Sequence, residues 1–345
     1  MEAITIKDIA RLCGVGVSTV SRAINNHPDI NEETKAMIMK VIKENNYIPN
    51  NSARNLKRSD SRTIAVLIKG ITNPFFSGMI KTFERIIKEK KYSFILHRVE
   101  EKEDEIDVAI QLVKEKKLKG IVFLGGHFSH SDEKLRQLTV PFVLSTIEIS
   151  QRIDKTLCSS VSVDDFKESY KIVDYLCKLG HTKIAIITAP IDDESIGNLR
   201  FNGYESALKD NGIEVKESLV RFMKDDIDSY SMENGYVVTK ELLESGEDFT
   251  AIYAISDSIA IGACKAIFDA GKKVPEDYSV AGFDGLDIAK YYNPSITTIR
   301  QPVEEMAEET IKILFDIIRK KAPTQHKIFK GELVIGQSTK NIDKR

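Results

Sequence analysis

Residues 4–35 read ITIKDIARLCGVGVSTVSRAINNHPDINEETK, and their spacing decides how the N-terminal end folds. Thr5 and Asp8 stand three apart, the spacing of a capping box, ahead of an apolar stripe of Ile6, Ile9, Ala10 and Cys13. That stripe predicts a first helix. Gly14 then gives a tight turn with no Cβ to strain it. A second helix is predicted over about 17–24, with Val20, Ala23 and Ile24 inward and Ser18, Ser21, Arg22 and Asn25 outward. Asn31 is a good N-cap for a third helix reaching about Asn45 and packing through Ile38, Val41 and Ile42. Two short helices across a glycine turn make a helix-turn-helix. The second offers small hydroxyls and one arginine, groups that reach phosphates and base edges in a major groove. Geometry alone also leaves open a generic three-helix domain with a polar surface. Gly14-Val15-Gly16 imitates a phosphate-binding loop, but no strand precedes it and no Gly-Lys-Ser/Thr follows, so that reading is rejected.

Residues 46–62 change character. They carry Arg54, Lys57, Arg58 and Arg62 against Asp60 alone, with a helical turn or two possible after Pro49. So short a helix is marginal in water and needs a partner to become ordered. The whole chain of 345 residues has a net charge of −2, which at face value argues against a nucleic-acid binder. The average hides a split: residues 1–62 sum to +3 and the remainder to −5. The length suggests two or three domains, and 42% hydrophobic with 30% charged residues is ordinary for a globular chain with a real core.

Several classes are excluded. No apolar run approaches the 18–20 residues of a membrane span, and residues 1–11 lack the apolar stretch of a secretory signal. Cys13, Cys158, Cys177 and Cys264 are far apart, which suits a reducing cytoplasm and buried thiols rather than disulfides or a metal centre. No metal, cofactor or catalytic residue is expected.

From Thr63 onward apolar runs alternate with amphipathic stretches. Strands are predicted at 64–68, 93–96, 120–124, 142–144, 183–188, 251–255 and 279–283. Helices are predicted at 75–90, 105–116, 165–179, 198–210, 258–270 and 302–321. Such alternation predicts an α/β fold with parallel sheets covered on both faces. The number of units exceeds one comfortable sheet, so two similar subdomains are expected.

The run quoted above, followed by YIPNNSARNLKR at 47–58, resembles the LacI/GalR family of bacterial transcription repressors. The later motifs resemble that family's periplasmic-binding-protein-like (type I) sensor domain. They are Ile71-Thr72-Asn73-Pro74-Phe75-Phe76, Gly180-His181-Thr182-Lys183, Arg200-Phe201-Asn202-Gly203-Tyr204, Ser256-Asp257-Ser258, Gly282-Phe283-Asp284, Ile296-Thr297-Thr298-Ile299 and Gln337-Ser338-Thr339. The resemblance covers nearly the whole chain. It implies a helix-turn-helix headpiece at 1–46, a linker with a hinge helix at 47–61 and a two-lobed effector-binding domain at 62–345. One lobe would comprise about 62–162 and 292–325, the other about 163–291 and 326–345, with crossovers near 160, 290 and 325.

The same resemblance implies roles. Val17, Ser18 and Arg22 fall where the family reads bases. Thr5, Thr19, Ser21 and Asn25 fall where it touches phosphates. Tyr47, Asn50, Ala53, Leu56 and Lys57 belong to the hinge, with Leu56 as the wedge that unstacks a base step. Asn73, Phe75, Phe76, Arg200, Ser256, Asp257, Asp284 and Gln301 match effector positions. An arginine, two carboxylates and aromatic rings at one cleft suit a hydroxyl-rich, sugar-like ligand. Ligands of open α/β sheets bind beyond the carboxyl ends of strands, where several of these residues fall.

Some positions depart from the family. Gly16 replaces the usual Ser that caps the recognition helix, Ser256 replaces Asn, Thr146 replaces Asp, and the Gly125-Gly126-His127-Phe128 loop is unlike a common sugar pocket. His127 is expected on the surface. The expected function is a cytoplasmic, homodimeric repressor that reads a near-palindromic operator under effector control. The alternatives are a solute-binding protein of the same fold, an enzyme, or a regulator governed by a corepressor or a phosphoprotein. No GxSxG, P-loop, HExxH or strand-borne GxGxxG supports an enzyme.

Overall fold

The structure is a computed structural model that describes residues 4–24, 26–45, 47, 62–100, 102–126, 128, 130–147, 149, 153–190 and 196–342. The chain divides into two units, Met1–Ser61 and Arg62–Arg345.

In the first unit, helices α1 (Ile6–Leu12), α2 (Val17–Ile24) and α3 (Glu32–Glu44) enclose a core of Ile9, Ala10, Val20, Ala23 and Ile38. The capping box at the start of α1 is formed. The Asp8 amide donates to Thr5 Oγ1, and the Asp8 carboxylate accepts from the Thr5 amide at 3.0 Å and its hydroxyl at 2.6 Å. These hydrogen bonds hold the Asp8 carboxyl below its ordinary range. Gly14 takes a left-handed φ of +64° between α1 and α2. Asn31 caps α3 by accepting from Glu33 and Thr34. Replacing Thr5 with Ala removes the cap and is expected to cost about 1 kcal/mol. The check is faster hydrogen exchange at the amides of α1; unchanged protection there would count against it.

The second unit carries two parallel sheets. Among the described residues, six strands form the first, ordered β11-β5-β4-β3-β1-β2. They are β1 (Thr63–Ile68), β2 (Ser93–Arg98), β3 (Gly120–Leu124), β4 (Phe142–Ser145), β5 (Ser159–Val163) and β11 (His326–Phe329). The second is ordered β7-β6-β8-β9, from β6 (Ile184–Thr188), β7 (Val220–Phe222), β8 (Ala251–Ala254) and β9 (Ser279–Ala281). β1, β3, β4, β6 and β8 are buried nearly throughout, which is why they read as continuous apolar runs. A short antiparallel pair, β10 (Thr298–Arg300) with β12 (Glu332–Val334), completes the ladders.

Helices α4 (Phe75–Glu89) and α12 (Val303–Lys320) pack together against the first sheet. Helices α5 (Glu105–Lys116) and α6 (Asp132–Leu135) add a second apolar cluster around Ile106, Leu112 and Leu135. In the second lobe α7 (Asp165–Lys178) packs on α8 (Ile196–Asp210), and α9 (Met232–Glu244) on α10 (Asp257–Asp269). Both pairs need glycine at the contact. A Cβ at Gly203 would overlap the Phe166 carbonyl, and one at Gly262 the Met232 carbonyl. The short α11 (Asp287–Tyr291) precedes β10.

The lobe crossings fall later than the sequence suggests. β5 still belongs to the first sheet and ends at Val163, and β11 pairs with β5. The returns therefore lie near 164, around 301–302 where α12 begins, and at 330–331, rather than near 160, 290 and 325. The reason is that β11 is an edge strand with exposed His326, Lys327 and Ile328, so its pattern does not announce a sheet.

Candidate functional site

On the headpiece, Thr5, Val17, Ser18 and Arg22 are exposed, while Thr19 and Ser21 are half-buried. Val17 is 41% exposed, unusual for an apolar side chain beside so small a core. The Thr5 hydroxyl is already engaged with Asp8. Tyr47 packs against the headpiece core, and its amide donates to the Ile42 carbonyl at 3.0 Å. A Cβ added at Gly16 would meet Ser18 Oγ at an ordinary 3.5 Å, so a serine there would fit. Asn25, Asn50, Ala53, Leu56, Lys57 and His127 lie outside the described residues.

In the sensor unit the ends of β1, β4 and β5 in one lobe face α8 and the 284–301 segment of the other. They enclose a small polar cavity of about 20 Å³. Asn73, Phe75, Phe76, Arg200, Asp284 and Gln301 all line it. Asn73 Oδ1 accepts from the Phe75 amide at 3.0 Å, which fixes the start of α4. The two rings meet edge to face, 5.5 Å apart.

Arg200, on α8, is buried. Its Nε and Nη2 both reach Asp165 Oδ1 at 2.8 Å. Nη1 donates to the Ile255 carbonyl at 2.5 Å and stands 3.7 Å from Asp284 Oδ1. The guanidinium lies flat over Phe283, 3.6 Å from the ring centre. Burial works against this cation, but the Asp165 and Asp284 carboxylates more than offset it and raise its pKa. One cation faces two buried acids. The shorter contacts make Asp165 its ion-pair partner, although burial pushes the Asp165 carboxyl up and the arginine only partly pulls it back. Asp284 is driven well above the carboxylate range, by burial first, with Arg200 opposing and Asp257 adding repulsion.

Asp284 has an unusual backbone for a side-chain-bearing residue, φ +118°. The conformation is held from the neighbouring segment. The Asp284 amide donates to the Ile299 carbonyl at 2.9 Å, and the Asp284 carbonyl accepts from the Gln301 amide at 3.1 Å. Its Oδ1 accepts from Gln301 Nε2 at 3.0 Å, while its buried Oδ2 has no hydrogen-bond partner. Thr146 Oγ1, in the same cavity, is likewise buried and unpartnered, on a residue with φ +62°.

Ser256 and Asp257 sit behind the cavity rather than in its wall. Ser256 caps α10 by accepting from the Ile259 amide at 3.3 Å. Asp257 braces the turn that carries Asp284: Oδ1 accepts from the Thr298 hydroxyl at 2.6 Å and Oδ2 from the Leu286 amide at 2.7 Å. Both carboxylate oxygens are thus consumed by the protein itself. Burial pushes Asp257 up to about 7 against the opposing pull of Thr298, Leu286 and Gly285. An acid whose folded pKa lies above its unfolded value contributes stability that is full at low pH and is lost as pH rises through the folded pKa. The expected result is that the stability advantage of the wild type over Asp257→Asn shrinks between pH 4 and pH 7 and then levels off. Urea titrations across that range check it, and a constant difference would contradict it.

Sequence reasoning missed Asp165, Val163, Ile196 and Tyr230 of the cavity wall. Asp165 follows a strand by one residue, the same cue that singled out Asp257. Among the described residues no group of His, Cys, Asp and Glu is arranged to hold a metal ion. Cys158 and Cys264 are buried, with thiols pushed up to about 12 by burial. His181 is a core residue, with Nδ1 2.8 Å from Thr250 Oγ1 and Nε2 3.2 Å from the Lys340 carbonyl.

A three-helix unit with an exposed polar second helix, joined to two parallel-sheet lobes around a polar cavity, defines a ligand-responsive DNA-binding protein. Residues 5–50 match the model of bacterial regulatory proteins of the lacI family, and 173–339 match that of the periplasmic binding protein-like domain. The chain is 42% identical to the HTH-type transcriptional regulator MalR of Clostridium butyricum, over 98% of this chain and 99% of that one. It is 31% identical to the ribose operon repressor of Escherichia coli, over 94% and 96%. A solved transcriptional regulator CelR–cellobiose complex superposes with a TM-score of 0.70 at 26% identity, covering 97% of this chain and 99% of that one. The chain belongs to the lacI family of bacterial regulatory proteins, and it is a DNA-binding transcriptional regulator.

Proposed function

We propose that this regulator represses transcription by binding a near-palindromic operator as a homodimer, and that a small, sugar-like effector between the sensor lobes sets how firmly it binds. Residues 1–46 read DNA, 47–61 form the hinge, and 62–345 sense the effector. The DNA contacts are Val17, Ser18 and Arg22 on bases, Thr5, Thr19, Ser21 and Asn25 on phosphates, and Tyr47, Asn50, Ala53, Leu56 and Lys57 from the hinge. Exposure of the first three supports their part. The effector contacts are Asn73, Phe75, Phe76, Arg200, Asp284 and Gln301, joined by Thr146. Asp257 and Ser256 act behind them.

One observation carries the effector reading. Asp284 Oδ2 and Thr146 Oγ1 are both buried and both lack a partner, in one cavity floored by aromatic rings. Buried polar atoms are rarely left so, and a ligand hydroxyl satisfies both. The names of the relatives are those of regulators and repressors, which supports a non-catalytic role. No helix among the described residues is long and apolar enough to cross a membrane. The site of action is the cytoplasm, where chromosomal DNA lies.

The test is a mobility-shift assay on palindromic sequences upstream of the gene, with and without sugars. A specific shift that a sugar releases or strengthens supports the reading, and the sign separates inducer from corepressor. Absence of specific binding to any palindromic site would sink it.

A further inference from the structure

Beyond the small cavity the cleft widens into an outer chamber of about 410 Å³. The two are contiguous, sharing Asn73, Phe76, Ile196 and Tyr230 in their walls. The inner one has room for a single hydroxyl or water, since about 10–15 Å³ holds one water molecule. The outer one is far larger than one ring requires: a six-membered ring fills a cavity of about 150 Å³.

The outer wall also has a definite charge. Its bases are each matched. Lys69 Nζ is 2.9 Å from Glu105 Oε2, Arg98 Nη2 is 3.0 Å from Glu100 Oε2, and Lys224 Nζ is 2.7 Å from Glu241 Oε2. Asp225, Asp226 and Asp228, on the loop after β7, have no ion pair among the described residues. Phe76 and Met223 give the chamber an apolar surface.

We infer that the outer chamber is a second sugar subsite, so that the effector is a neutral oligosaccharide of at least two rings. One ring sends a hydroxyl to Asp284 and Thr146, and the next lies in the outer chamber with its hydroxyls donating to the Asp225–Asp228 carboxylates. This inference rests on the effector reading of the inner cavity. Three considerations lead to it: the volume accommodates two rings, the unmatched carboxylates accept from hydroxyls, and the same carboxylates repel a phosphate. A single hexose leaves most of the chamber to water, and a sugar phosphate meets like charge on the wall.

The test is calorimetric titration of the full chain with a panel of neutral disaccharides of glucose and galactose in α and β linkage, the free hexoses and their 6-phosphates. A disaccharide is expected to bind at least tenfold more tightly than its own hexose, with the 6-phosphate weaker than either. The triple substitution D225N/D226N/D228N, confined to a surface loop, is expected to remove that tenfold gain and leave hexose affinity unchanged. A hexose as tight as its disaccharide, a preferred 6-phosphate, or a triple variant indistinguishable from wild type each overturns the second subsite while leaving the inner effector site standing. If no sugar in the panel binds, the effector reading and the subsite fall together.

Discussion

Replacing Arg200 with Ala is expected to destabilise the sensor unit by about 3–5 kcal/mol and to abolish any effector-induced rise in melting temperature. The argument rests on what the substitution leaves behind. Asp165 and Asp284 are both buried, and Arg200 is the cation that stands between them. Removing one partner of a buried pair exposes the other to the full penalty of being charged out of water. The Ile255 carbonyl loses its donor as well, and Phe283 loses the guanidinium stacked on its face. For a unit of this size the loss corresponds to roughly 10 °C in Tm. Arg200→Lys separates two effects: it keeps the charge, so part of the stability returns, but it lacks the planar fork, so effector response does not. Calorimetric melting with and without ligand reads both. An Ala variant that melts within 1 °C of wild type would refute the account.

The second large effect lies in the headpiece. Ile38 is completely buried in a core of only five such apolar residues. Ile→Ala in a core costs about 2–5 kcal/mol. A unit of some sixty residues has on the order of 3–9 kcal/mol in total. Ile38→Ala is therefore expected to leave much of the headpiece unfolded and to weaken operator binding by a hundredfold or more. Effector-induced stabilisation of the sensor unit should be unchanged, because the two units have separate cores. A mobility shift beside a thermal melt reads the two separately. Retained operator affinity, or a lost effector response, would count against that separation.

The headpiece was the most legible part of the sequence, because its information is local. The Thr5–Asp8 box, the Gly14 turn and the Asn31 cap each act within a few residues, and all three are formed. Long buried strands such as β3 and β6 were legible for a related reason: strands covered on both faces are apolar at every position. β5 was not, since Ser159, Ser160 and Ser162 look like a loop. Partners distant in the chain allow the strand: Ser159 Oγ accepts from the Gln325 amide, and Ser160 Oγ lies 3.0 Å from His326 Nδ1. The site divides in the same way. Arg200, Asp284 and Gln301 were singled out by sequence, and they converge on one cavity. Asp257 and Asp165 both follow strands, yet only Asp165 reaches the cavity wall. No local pattern separates the two, because the difference lies in what Thr298 and Leu286 bring from elsewhere in the chain.

The unusual backbone at Asp284 has a mechanical consequence. The groups that hold it, the Ile299 carbonyl and the Gln301 amide, belong to the segment that passes from the second lobe into α12 of the first. The acid that meets the ligand is therefore bolted to the pivot on which the lobes turn. A ligand that gains one hydrogen bond in only one lobe arrangement acts directly on that pivot. A difference of about 1.4 kcal/mol already changes the ratio of the two arrangements tenfold. Sensing then needs no relay through the body of the protein, because the receptor atom and the hinge are neighbours on one stretch of chain.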